Sequence, residues 1–93
     1  MTTHAVVLLK VSNPETLALY REKAAEALAR HGGSVVQASP EPSVLEGTPP
    51  TPDMMALLQF PDRAAAQAWK ADPDLQDIHA LRMGIGASDI LLL

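Results

Sequence analysis

The chain has no cysteine, which removes disulfides, thiolate metal ligands and thiol nucleophiles together. It is poor in aromatics, with Tyr20, Phe60 and Trp69 the only residues of that kind. Its core must therefore pack small aliphatic side chains, which alanine, leucine and valine supply. Positive charge is also scarce. Seven Lys and Arg are dispersed among eleven Asp and Glu, giving a formal charge of −4. With no basic run, and no basic residues interleaved with aromatics, a nucleic-acid partner is not expected. Long apolar runs are missing as well. The longest are strand-sized, far below a membrane span, and no basic segment precedes an apolar stretch near the amino terminus. Neither a membrane partner nor a signal peptide is expected, and a cytoplasmic location is the default.

What is present is a folded composition, 47% hydrophobic over 93 residues, expected to form a single domain spanning 1–93. His4–Val11 is a β-branched, apolar run suited to an interior strand. A helix over Pro14–Arg30 follows, with Asn13 as N-cap and Pro14 in the first helical position. Leu17, Tyr20, Ala24, Leu28 and His31 mark its inward stripe, and Gly32-Gly33 closes it. Ser34–Ala38 and Ser43–Gly47 read as an edge strand interrupted by Ser39-Pro-Glu-Pro42, since prolines remove ladder donors. Gly47–Pro52 reads as a stiff turn. Asp53–Phe60 is a second interior strand, and Asp62–Ala71 a helix capped by Asp62. A further helical piece is expected over Asp74–Met83, broken by Met83-Gly-Ile-Gly86, before a last strand at Ala87–Leu93.

Two β-α-β units in this order predict an α+β, ferredoxin-like β-α-β-β-α-β sandwich: an antiparallel sheet with its helices on one face. Strand parity assigns the faces. Val7, Leu9 and Val11, with Met54, Ala56, Leu58 and Phe60, are wholly apolar sets and belong on the helix side. The alternate set has His4, Lys10, Asp53 and Gln59 around a centre of Val6, Leu8, Met55 and Leu57. With the two strands antiparallel neighbours, His4 should approach Gln59 and Lys10 should approach Asp53. The apolar centre is unsuited to water. A second copy of the chain packed on this open face, giving a homodimer, is the simplest cover.

Val11-Ser-Asn-Pro-Glu15 with Tyr20, Gly32-Gly33, Val44-Leu-Glu-Gly47, Phe60-Pro61, Ala80-Leu-Arg82 and Ser88-Asp89 occur in an order that resembles the DUF1330 family over nearly the whole chain. The resemblance implies a dimeric α/β barrel, in which two facing sheets enclose a small cavity. It implies little chemistry, because the family's function is unknown. Barrels of related appearance include cofactor-free monooxygenases, lactone isomerases, polyketide cyclases and haem enzymes, a likeness of fold only. Leu17 and Leu75 stand where the family often has tyrosine, Ala38 near a frequent arginine, and Gln59 in place of a frequent glutamate.

Six residues are candidates for ligand contact: His4, Lys10, Glu46, Gln59, His79 and Arg82. Arg82 fits an anionic group near the barrel mouth; its plainer role is a helix-terminal arginine paired with Asp77, Asp89 or the last carbonyls. An unperturbed imidazole titrates near neutrality, so His79 suits a general base, or else is a surface or packing histidine. His4, Lys10 and Gln59 share the open face by parity. Glu46 is the best-placed carboxylate, with a salt bridge to Lys10 or Arg82 as its plainer account. His31 is explained by helix capping, and Trp69 by helix core. No histidine spacing supports a metal, Gly84-Ile-Gly86 lacks the dinucleotide fingerprint, and no serine has a nucleophile-elbow context. No cofactor is expected. The leading functional expectation is a homodimer binding a small molecule in a cavity between sheet and helices. The alternatives are a cofactor-independent isomerase, cyclase or monooxygenase on a small hydrophobic substrate, and a structural dimer without ligand.

Overall fold

The computed structural model describes residues 2–93. Its elements run β1 (Thr3–Leu9), α1 (Pro14–Ala29), β2 (Ser34–Ser39), β3 (Met54–Phe60), α2 (Arg63–Ala71), a 3-10 turn (Pro73–Leu75), α3 (Gln76–Ile85) and β4 (Ser88–Leu92). The four strands form one antiparallel sheet in the order β2-β3-β1-β4. β1 and β3 are its central pair, in a register that sets His4 opposite Gln59 and Leu9 opposite Met54.

Side chains alternate across this sheet as its pleat requires. Thr3, Ala5, Val7 and Leu9 are buried, while His4, Val6 and Leu8 between them are only partly covered. The buried set joins Leu58 and Phe60 of β3, Leu28 of α1, Trp69 of α2 and Ile85 of α3 in a single core. All three helices therefore lie over one face. The molecule is 17 Å through its shortest axis, the depth of one sheet and one helix layer. The opposite face carries Val6, Leu8, Met55 and Leu57, each half-buried, and Leu91, which is exposed.

Local chemistry sets the boundaries. Asn13 caps α1 through a hydrogen bond from the Thr16 amide, and Asp62 caps α2 through one from Ala65 at 2.7 Å. β1 stops at Leu9 rather than Val11. The Val11 amide turns to the Asp53 carboxylate at 2.8 Å, and the Ser12 and Asn13 amides turn to the Ile85 carbonyl. Asp53 itself lies outside β3 and serves as that acceptor. Ser43–Gly47 forms no strand. Prolines at 40, 42, 49, 50 and 52 strip this stretch of donors, and it folds beside Leu8 and Met55, bordering the open face. α3 starts at Gln76, behind the 3-10 turn, and passes through Gly84 to end at Ile85. One glycine costs a helix only about 1 kcal/mol, less than the packing of Ile85, which is fully buried. Gly86 ends it, with a Cβ position 2.0 Å from the Lys10 carbonyl oxygen.

Candidate functional site

The site begins with two residues three apart on α3. His79 and Arg82 share a helix face, and that face points into the core: they are 0% and 1% exposed. α2 ends at Ala71, so the Trp69 carbonyl is one of the last four, which have no helical partner. The His79 Nε2–H donates to it at 2.9 Å. Arg82 Nη1 donates to His79 Nδ1 at 2.9 Å and to the Tyr20 hydroxyl at 3.4 Å. Arginine only donates and a carbonyl only accepts, so the ring holds its single proton on Nε2 and is neutral. Burial pushes its pKa below the ordinary value. The Arg82 and Lys70 charges add to this, and the bond to the Trp69 carbonyl opposes it.

Aromatic rings enclose the guanidinium. Its central carbon lies 5.2 Å from the Trp69 ring centroid and 5.8 Å from that of Tyr20. Trp69 meets His79 edge-on at 4.7 Å and Phe60 at 5.5 Å, tilted. Two of the chain's three aromatics thus hold one arginine, and the third props the tryptophan. Two donors in this cluster have no partner among the described residues: Arg82 Nε and Trp69 Nε1, both buried. A buried unpaired N–H costs about 1–3 kcal/mol, so each calls for an acceptor.

A cavity of about 300 Å³ lies against both residues. Ala5, Phe60, Ser88, Ile90 and Leu92 line it from the sheet, and Ala66, Gln67, Trp69, Lys70, Arg82 and Met83 from α2 and α3. It is on the helix side of the sheet.

The candidate residues divide accordingly. His79 and Arg82 come together, with Arg82 on the cavity wall. Among the described residues Arg82 pairs with neither Asp77 nor Asp89, and it is buried in the core because its side chain follows the inward face of α3. His4, Lys10 and Gln59 are elsewhere: parity turns His4 and Gln59 to the open face, and Lys10 borders a shallow depression with Pro50 and Pro52. Glu46 is exposed on the proline-rich stretch, and no salt bridge engages it among the described residues. His31 pairs with Asp72 at 2.8 Å, beside Arg30 bonds to Asp72 and Asp74, which tie the end of α1 to the turn after α2. Tyr20 and Trp69 join the site from the positions the sequence assigns them, Tyr20 on the inward stripe of α1 and Trp69 in the helix core. The available signal was the three-residue spacing of His79 and Arg82, which pairs them with each other rather than with Asp77. Among the described residues no cluster of His, Asp and Glu is arranged to hold a metal, and no helix is long and apolar enough to cross a membrane.

A family model described as Domain of unknown function (DUF1330) matches residues 2–93. The chain belongs to the DUF1330 family. This DUF1330 chain also matches solved structures along its whole length. A protein of unknown function from Rhodopseudomonas palustris superposes with a TM-score of 0.76 at 21% identity, covering 99% of this chain and 80% of that one. A dimeric ferredoxin-like protein of unknown function from Jannaschia sp. CCS1 gives 0.68 at 17% identity, covering 100% and 98%. SnoaB, a cofactor-independent oxygenase from Streptomyces nogalater, gives 0.65 at 16% identity, covering 99% and 89%. At these identities the likeness establishes the ferredoxin-like fold. No curated protein matches the sequence.

Proposed function

We propose that this DUF1330 protein binds a small, mostly apolar molecule in the cavity between the sheet and α2/α3. The observation that carries this reading is that Arg82, a buried guanidinium with no carboxylate partner among the described residues, and Trp69, whose buried Nε1–H has no partner there, both line a space walled mainly by apolar side chains. A ligand with an apolar body and an acceptor at one end satisfies both features, the usual design of a small-molecule site. The volume, about 300 Å³, sits at the lower end of such pockets. Binding is favoured over proton-transfer catalysis. His79 has both ring nitrogens engaged and stands behind Arg82, and the described residues lining the cavity include no carboxylate or imidazole.

A second copy of the chain on the open sheet face completes the proposal. Val6, Leu8, Met55, Leu57 and Leu91 supply an apolar surface there, and the similar Jannaschia protein is dimeric. The sheet then separates the ligand from the interface, so the two are independently testable. A fragment screen by thermal shift, followed by titration of the hits against Ile90→Phe, tests the cavity. The added ring volume should abolish binding of a cavity ligand while the variant still unfolds cooperatively. Hits that bind the variant as well as the wild type place their site elsewhere.

A further inference from the structure

The cavity departs from the charge of the molecule around it. The whole chain carries eleven acidic and seven basic residues, yet the described cavity lining has two cations, Lys70 and Arg82, and no acid. Arg82 is 1% exposed, and no salt bridge pairs it with a carboxylate among the described residues. A guanidinium remains charged at any physiological pH. Its neighbours compensate only in part. His79 and Tyr20 accept from Nη1, two ring faces flank the charge, and Nε has nothing. The imidazole beside it is neutral and adds no counter-charge. A buried charge is ordinarily paired; here the chain supplies no partner.

Resting on the cavity reading above, we infer that the ligand is an organic anion, a carboxylate on an apolar body, and that its charged end meets the Arg82 guanidinium while the body lies against Ala5, Phe60 and Ile90. Lys70, exposed near the end of α2 and part of the cavity lining, draws the anion in from solvent. His79 does not touch the ligand; it is a positioning residue, holding Nη1 and with it the place of the guanidinium. The charge-assisted bond is what a neutral analogue of equal shape cannot form.

Matched acids and amides test this: naphthoate, phenylbutyrate and octanoate, each against its amide, titrated into the full chain at neutral pH. Calorimetry gives the affinity, and fluorescence of Trp69, the only tryptophan, reports occupancy of the cavity. At least one acid is expected to bind about tenfold or more tightly than its amide. That ratio should shrink severalfold in Lys70→Gln, whose exposed side chain puts folding at little risk, and vanish in Arg82→Met. Equal affinities for acid and amide, both with a Trp69 response, overturn the anionic inference and leave the cavity reading standing. A ratio unchanged in both variants also overturns it. If no member of any pair perturbs Trp69, the cavity reading falls, and this inference with it.

Discussion

Arg82 is a charge kept away from water with no acid beside it, and that arrangement has consequences for stability. Replacing buried ionic groups with apolar residues of similar volume is often neutral or stabilising. Arg82→Met should therefore change the unfolding free energy by no more than about 1 kcal/mol in urea titration, the freed His79 and Tyr20 acceptors offsetting the gain. A loss several times larger would make Arg82 a structural residue first. His79 is expected to behave differently. Its removal in His79→Ala leaves the Trp69 carbonyl without a partner and Arg82 Nη1 with only the longer bond to Tyr20, at a loss of about 2–4 kcal/mol. The pH response follows from the same contacts. The unfolded ring takes up its proton as pH falls below about 6.5, while the folded ring, with its pKa lowered by burial, resists to lower pH. The unfolded state then binds more protons, so stability is full above that value, declines as pH falls through it, and levels off below the folded pKa. Asp72, lowered chiefly by its bond to His31, adds a second loss as pH falls below its ordinary 3.8. Urea titrations from mildly alkaline to acidic pH should show the first decline in the wild type and lack it in His79→Gln. The residue scale was the least legible in sequence. Spacing shows that positions 79 and 82 share a face, but only the packing of α3 on α2 shows that this face is inward.

Among the elements, the junction between β1, α1 and α3 is the most tightly constrained. The Ile85 carbonyl at the end of α3 accepts from both Ser12 at 2.8 Å and Asn13 at 2.9 Å, and the next residue passes against the Lys10 carbonyl. A Cβ at Gly86 would stand 2.0 Å from that oxygen, which is backbone and has no room to yield. Gly86→Ala should cost more than about 2 kcal/mol, read as a lowered denaturation midpoint. Gly84→Ala, where a Cβ would meet Thr16 at an ordinary 3.5 Å, should be neutral or stabilising by about 1 kcal/mol. The reverse ranking would contradict the account of where α3 ends. Caps and turn residues made most elements readable, since Asn13, Asp62 and Gly32 act locally. The two departures differ in cause. Ser43–Gly47 has strand-like composition but sits among prolines that strip the stretch of donors, while α3 continues past Met83 because tertiary packing of Ile85 outweighs a glycine.

At the scale of the whole molecule, the fold was legible because two-residue alternation carries the register: the same parity that makes Val7 and Leu9 core sets His4 opposite Gln59. The cavity was not, since it is defined by what small side chains such as Ala5 and Ala66 leave unfilled between layers. The proposed dimer predicts that Leu8→Asp yields monomer in light scattering while wild type scatters as dimer. About four buried side chains per copy, at roughly 1.5–3 kcal/mol each before association costs, suffice to drive it. Ligand binding in the cavity is the central claim, and Trp69 offers the most direct view of it. As the only tryptophan, it gives one indole N–H signal in a proton–nitrogen NMR spectrum, from the very donor that lacks a partner. Titration with small apolar acids should move that signal as the ligand settles against the Trp69 ring, together with the backbone signals of Ala66 and Ile90. Ligands that bind while this signal stays fixed, shifting Leu8, Met55 and Leu57 instead, would contradict the account.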